Sequence, residues 1–268
     1  MKHFADYIKS IRASGHYAFT TEKALADLGI TPNALRCGMY KLSKKHDIVS
    51  PAKNLYVIVP PEYQSLGCLP ADELIPILLK HWNLPYYVGL LSAAYYYGAS
   101  HQKPQTFQVI TNKQIKPLIC GNVRVDFIYK KNFASLPIQQ HTVKTGYLAV
   151  STPEVTAIDL LLYSRQAGGL NHVATVLSEL IESIVPENLE ILLNLSSEKA
   201  WIQRLGYILE HIESMEPEKQ NVTVAIIRNY IEQQSLHPVA LASELPTKGS
   251  SKDQRWMILE NTTIESDI

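Results

Sequence analysis

The first sixty residues carry three helix signals and a hairpin signal in unbroken succession, and that order restricts the chain more than any other feature. Phe4, Tyr7, Ile8 and Ile11 have the spacing of one apolar helix stripe, which predicts a first helix over residues 3–13 that Gly15 breaks. Thr20 or Thr21 can cap the short run Glu22–Leu28, and Gly29 is placed to end it. Thr31-Pro32 supplies a capping hydroxyl and a first-turn proline for a third helix reaching to about Lys45, with Leu35, Met39 and Leu42 as its buried stripe. Ile48–Ser50 and Leu55–Val59, joined through Pro51-Ala52-Lys53-Asn54 and closed by Pro60-Pro61, read as strand, turn and strand. Three helices and a hairpin in this order are the plan of a winged helix-turn-helix, assigned to residues 1–62.

The other face of the third helix carries Asn33, Arg36, Tyr40, Lys41, Lys44 and Lys45. Arg36, Tyr40 and Lys44 are successive fourth residues and stack along one side. Arg can bond guanine bidentately, Asn can bond adenine, and Lys neutralises phosphates, so this side suits the major groove of double-stranded DNA. Lys53 at the turn of the hairpin can reach the adjacent backbone or minor groove. These seven residues are the candidate DNA contacts. A solvated amphipathic helix is the alternative for the stripe taken alone. Net charge is +5 over residues 1–60, +4 over 61–150 and −9 over 151–268, which suggests different partners for front and back, or chance clustering on solvated faces.

The fold class expected is α+β: the winged helix-turn-helix, then a small α/β unit, then a C-terminal helical region. Residues 70–150 combine an apolar helix containing Leu74, Ile75 and Leu78 with a second helix over 87–97, in which Val88, Leu91, Ala94 and Tyr95 face inward. Strands follow at 106–111, 123–129 and about 145–151. Tyr86, Tyr87, Tyr95, Tyr96 and Tyr97 could form a stacking platform for bases or pack as core and rim. Thr152-Pro153-Glu154 starts a helix that ends before Gly168-Gly169, and amphipathic helices follow at about 170–184, 187–194, 197–214 and 221–234. Residues 236–268 form an irregular tail, in which Trp256–Leu259 is apolar enough for a strand that returns to the middle sheet or pairs with another chain. Residues 70–268 are thus one region with an α+β part (70–150), a helical part (151–235) and this tail.

Several classes are disfavoured. No run of 18 apolar residues occurs, the amino terminus lacks a signal-peptide core, and Cys37, Cys68 and Cys120 make no CxxC pair. A cytoplasmic protein with no membrane partner is expected. There is no phosphate loop, no GxGxxG, no HExxH and no GxSxG, and the nine His are scattered. No catalytic residue, metal or cofactor is therefore expected. Asp126 and Lys130 on one strand faintly suggest a nuclease, but two-metal chemistry needs several convergent carboxylates. An acid paired at a strand edge is the simpler reading.

The strings "NLYVIVP" (Asn54–Pro60), "YYVGLLSAAYYYGASHQKPQTFQVIT" (Tyr86–Thr111) and "VSTPEVTAIDLL" (Val150–Leu161) occur in the order that resembles the AbiEi antitoxins of type IV phage-defence toxin–antitoxin pairs. "RLGYILE" (Arg204–Glu210) is similar to a late helix of that family. Many members carry Arg-Gly where this chain has Lys53-Asn54. The resemblance implies an antitoxin and transcriptional regulator that binds inverted repeats in its own promoter. It also implies that the C-terminal region counteracts a nucleotidyltransferase-like toxin, with no stable complex assumed. A winged-helix regulator without antitoxin activity, or a nucleic-acid-processing enzyme, are the alternatives.

Overall fold

Local capping places the first six elements. In the computed structural model, which describes residues 2–100, 102–196 and 198–264, they are α1 (Lys2–Ala13), β1 (Ala18–Thr20), α2 (Thr21–Leu28), α3 (Pro32–Lys44), β2 (Ile48–Ala52) and β3 (Leu55–Ile58). The Thr20 hydroxyl accepts the Lys23 amide at the start of α2, and Gly29 ends that helix in the left-handed region at φ 61°. The Thr31 hydroxyl accepts the Ala34 amide at the start of α3, where Pro32 fills a position that needs no donor. The three strands form an antiparallel sheet in the order β1-β3-β2.

This head has its own core, built from Tyr7, Ile8, Ile11, Phe19, Ala24, Leu35, Met39, Leu42, Ile48 and Ile58. The Phe19 ring meets Tyr7 edge-on and stacks on Tyr56. Full burial of Leu35 and Met39 contributes about 2 kcal/mol each and fixes which side of α3 faces in.

The chain continues through α4 (Ala71–Trp82), β4 (Tyr86–Val88), α5 (Leu90–Tyr96), β5 (Phe107–Thr111), β6 (Leu118–Cys120), β7 (Val123–Tyr129), β8 (Ile138–Val143) and β9 (Gly146–Ser151). Its strands make a six-stranded mixed sheet in the order β6-β7-β5-β4-β9-β8, parallel at β5/β7 and β4/β9 and antiparallel at β4/β5 and β6/β7. One expectation fails here. The helix expected over 87–97 is a strand followed by a shorter helix, because Tyr86–Val88 lies between β5 and β9 with Tyr87 and Val88 fully buried, and Gly89 turns the chain into α5. Tyr95, expected inward, is exposed. β6 and β8, at the two edges, were not anticipated.

Five helices and three tail strands follow among the described residues: α6 (Pro153–Leu162), α7 (Leu170–Leu180), α8 (Pro186–Leu195), α9 (Ala200–His211) and α10 (Pro217–Glu232), then β10 (Val239–Ala240), β11 (Ser251–Asp253) and β12 (Ile258–Glu260). The α+β class holds. Every residue from Pro153 to Leu161 is buried, so α6 is the axis of the helical part. The expected strand in the tail exists but does not join the middle sheet: among the described residues β12 pairs with β10 and β11 in a small sheet of its own. Residue 197, the expected first residue of the ninth helix, and the last four residues of the tail, 265–268, lie outside the described residues.

Compactness groups Met1–Val88 with Gln105–Val150 in one unit and Gly89–Pro104 with Ser151–Ile268 in a second. The head and the six-stranded sheet thus belong to the same unit.

Candidate nucleic-acid interface

The buried stripe of α3 determines what its other side can present. With Leu35, Gly38, Met39 and Leu42 turned inward, Asn33, Arg36, Tyr40, Lys41, Lys44 and Lys45 are all exposed, Tyr40 to 63%. Gly38 has a specific task. A Cβ there would stand 2.4 Å from the Phe4 ring, so the missing side chain is what lets α1 lie close against α3.

The exposed residues form two adjacent stripes, as 3.6 residues per turn requires. Asn33, Arg36, Tyr40 and Lys44 make the first. Arg36 Nη2 donates to Asn33 Oδ1 at 3.1 Å, and Lys44 Nζ lies over the Tyr40 ring, 5.6 Å from its centroid. Lys41 and Lys45 make the second, beside a groove lined also by Phe4, Ala34, Cys37 and Asp47. None of Arg36, Lys41, Lys44 or Lys45 pairs with a carboxylate among the described residues. Their positive charges are therefore unneutralised, and the Asn33–Arg36 contact organises a fork that a base edge can displace.

The hairpin of β2 and β3 brings Lys53 to an exposed tip. Asn54 takes φ 63°, a left-handed conformation that asparagine tolerates and that glycine supplies elsewhere. Three further bonds hold the tip. The Ser50 hydroxyl donates to the Leu55 carbonyl at 2.9 Å, the Thr21 amide donates to the Asn54 carbonyl at 3.1 Å, and His81 Nε2 of α4 donates to the Lys53 carbonyl at 3.0 Å. The last bond fixes the backbone of Lys53 and leaves its ammonium exposed. Reading the sequence missed Ser50, Asn54 and His81. The turn chemistry of Asn54 was a usable signal, whereas His81 lies 28 residues from its partner and had none.

The other candidates disperse. Tyr87 is buried and meets Phe133 edge-on, and the Tyr97 hydroxyl donates to the Ser151 carbonyl at 2.6 Å, which makes these rings packing elements rather than a platform. Burial, then the charge of Glu154, pushes the Tyr97 hydroxyl up to about 12. Asp126 is half-buried on β7 beside Gln108 of β5. No three His, Cys, Asp or Glu side chains come together as a metal cage among the described residues.

The string Arg204–Glu210 has a clear structural role: it is the seat of the tail. Gly206 lets the Trp256 ring rest on α9, since a Cβ there would lie 2.0 Å from it. Glu210 accepts the Trp256 indole N–H at 2.6 Å and bonds Arg228 at 2.8 Å and also Arg255. Arg204 Nε donates to the Ala240 carbonyl, the Tyr207 hydroxyl to Glu260, and Gln203 Nε2 reaches the carbonyls of His237, Trp256 and Met257.

Comparison with known proteins bears on the middle of the chain. Residues 87–211 match the model of the AbiEi antitoxin C-terminal domain. Among solved structures, the RV2827C protein from Mycobacterium tuberculosis is 18% identical, with a TM-score of 0.65 over 97% of this chain and 91% of that one. That likeness is one of fold. The antibiotic-resistance factor ANT(2'')-Ia, 13% identical, aligns over 52% of this chain and 94% of its own with a TM-score of 0.33, too slight to carry an argument. A search of curated proteins returned no match. No described helix is long and apolar enough to cross a membrane.

Proposed function

We propose, from the match of residues 87–211 to the AbiEi antitoxin C-terminal domain, that the chain is a DNA-binding antitoxin that represses its own operon. Residues 1–62 act as a winged helix-turn-helix. Asn33, Arg36 and Tyr40 enter the major groove, Lys41, Lys44 and Lys45 meet the flanking phosphates, and Lys53 reaches the backbone from the wing. The target is double-stranded DNA of the chain's own promoter, read at inverted repeats. Residues 70–268 counteract a nucleotidyltransferase-like toxin without a stable complex being required. The protein works inside the cell as a regulator and not as an enzyme.

The observation that carries this reading is the unneutralised cationic stripe of α3, in the same compact unit as an exposed basic tip held by Ser50, Thr21 and His81. A cation left without an acidic partner on an exposed helix costs nothing in water and is available to a phosphate or a guanine. The test uses the full chain in two assays. Arg36→Ala with Lys44→Ala removes retention of a promoter fragment in a gel shift, while rescue of cells expressing the neighbouring toxin persists. Normal retention by the double variant would remove the recognition-helix assignment. Failure of the unaltered chain to rescue would remove the antitoxin half.

A further inference from the structure

The three cysteines divide by environment. Cys37 is exposed on α3, whereas Cys68 and Cys120 are 0% and 4% exposed. Cys68 lies in the connector between the head and α4, Cys120 ends β6, and 52 positions separate them in the chain. The fold nevertheless brings Gly67-Cys68 against Cys120-Gly121. The Asn122 amide donates to the Leu66 carbonyl at 2.7 Å and its side-chain Nδ2 donates to the Ser65 carbonyl at 3.0 Å. Between these bonds the two glycine backbones touch. A Cβ on Gly121 would stand 2.9 Å from Gly67 Cα and 2.1 Å from the Leu66 carbonyl oxygen, and both glycines take positive φ, 67° and 58°. With no side chain at either position the two backbones run opposite each other, residue 66 facing 122 and 67 facing 121, which sets Cys68 across from Cys120. The neighbouring Cys120 and burial push the Cys68 thiol up, and the neighbouring Cys68 lowers that of Cys120 against its burial.

We propose that Cys68 and Cys120 form a dithiol modification site that a peroxide converts to an intrachain disulfide and a dithiol reductant restores. Cys120 is the attacking sulfur, since it is the more exposed of the two and ends an edge strand followed by the exposed Gly121-Asn122. It bonds one peroxide oxygen, the O–O bond breaks, and the leaving hydroxide takes the Cys120 proton to become water. The Cys68 sulfur then attacks the resulting sulfenic sulfur. The S–S bond forms, the S–O bond breaks, and the departing hydroxyl leaves as a second water with the Cys68 proton. Two electrons pass from the pair to the peroxide. The slight exposure of Cys120 favours an oxidant of this size over a bulky disulfide. The product ties the connector to the β6–β7 hairpin of the same unit, and it does not depend on the DNA-binding reading.

The test uses the full chain with Cys37→Ser, so that the exposed thiol cannot compete. The reduced protein is treated with stoichiometric hydrogen peroxide, denatured, alkylated and digested without reductant for mass spectrometry. The expected product is a Cys68–Cys120 linked peptide, two hydrogens lighter than its parts, which dithiothreitol separates. Closing so long a loop also raises the apparent Tm by roughly 5 °C. Cys120→Ser in the same background, or Cys120→Ala should the serine variant fail to fold, removes both effects. Full alkylation of Cys68 and Cys120 after peroxide treatment would overturn the proposal, as would sulfinic acid on Cys120 without the cross-link.

Discussion

Two glycines show how a missing side chain acquires different weight in different surroundings. At Gly206 a Cβ would meet the fully buried Trp256 ring, which is pinned by its indole bond to Glu210 and by the Trp256 amide donating to Asp253 at 2.6 Å. The ring cannot retreat, so Gly206→Ala overpacks the contact by about 1–3 kcal/mol. The better helix propensity of alanine returns only about 1 kcal/mol. A net loss in thermal unfolding, with altered tryptophan fluorescence, is the expected outcome. At Gly38 the obstacle is the far end of the partly buried Phe4 ring in the first turn of α1, which has more room to turn aside than the fully buried Trp256. Gly38→Ala should therefore lower stability less than Gly206→Ala, and equal losses would contradict this ordering. Glu210 adds a pH dependence. Burial works against its charge, but the Trp256 indole, Arg255 and Arg228 outweigh it and hold its carboxyl below the ordinary 4.5. A depressed folded value means that the contribution is complete above about 4.5 and is lost as pH falls through the lower folded value. The stability difference between the unaltered chain and Glu210→Gln should narrow on acidification through that window, and a difference independent of pH would refute the assignment.

Elements differ in how much of their cause is local. α2, α3 and α6 begin at Thr20, Thr31 and Thr152, whose hydroxyls accept the amides three residues on, and α2 ends at a left-handed Gly29. Those signals sit within a turn of what they control, which is why the helices and the hairpin of the head were legible. Thr31→Ala tests one of them. The cap bond is 3.3 Å long, so the expected loss is about 0.5–1 kcal/mol in thermal unfolding, with the exposed stripe of α3 unchanged. β4 was illegible for the opposite reason. Tyr86–Val88 satisfies a helical spacing, and only pairing with β5 and β9, contributed by residues 19 to 65 positions away, makes it a central strand. Its aromatic and β-branched residues before Gly89 were a signal that the period outvoted. The tail sheet is the same case, since β10 and β12 owe their place to contacts with α9 and β11 to its pairing with β12. The candidate interface divides likewise. The cationic face of α3 followed from periodicity, whereas the support of Lys53 by His81 is a contact between distant segments.

For the whole molecule, the division of charge along the sequence is kept in the two compact units. The unit holding the head and the six-stranded sheet has 16 bases and 8 acids, a net +8, and the helical unit has 9 bases and 17 acids, a net −8. A net charge of zero therefore conceals two opposite halves, and the sequence pI of about 7.1 says little about affinity for a polyanion. Surface charges act over about 8 Å at physiological ionic strength, so acids outside that reach of the duplex oppose binding only weakly. What decides the electrostatic part is the number of phosphates neutralised by α3 and the tip. Lys41, Lys44, Lys45 and Lys53 meeting four phosphates give a slope of about −4 in log affinity against log salt. Raising monovalent salt from about 50 to about 200 mM should then weaken promoter binding by roughly 10²-fold. Lys53→Ala should flatten the slope by about one unit for every promoter sequence alike, because a phosphate contact carries no base information. Arg36→Ala should instead reduce discrimination between promoter and unrelated DNA, since its fork with Asn33 is the group able to read a guanine edge. A slope near −1 in the unaltered chain, measured by titration at several salt concentrations, would mean that the cationic stripe and the tip do not lie on the same duplex.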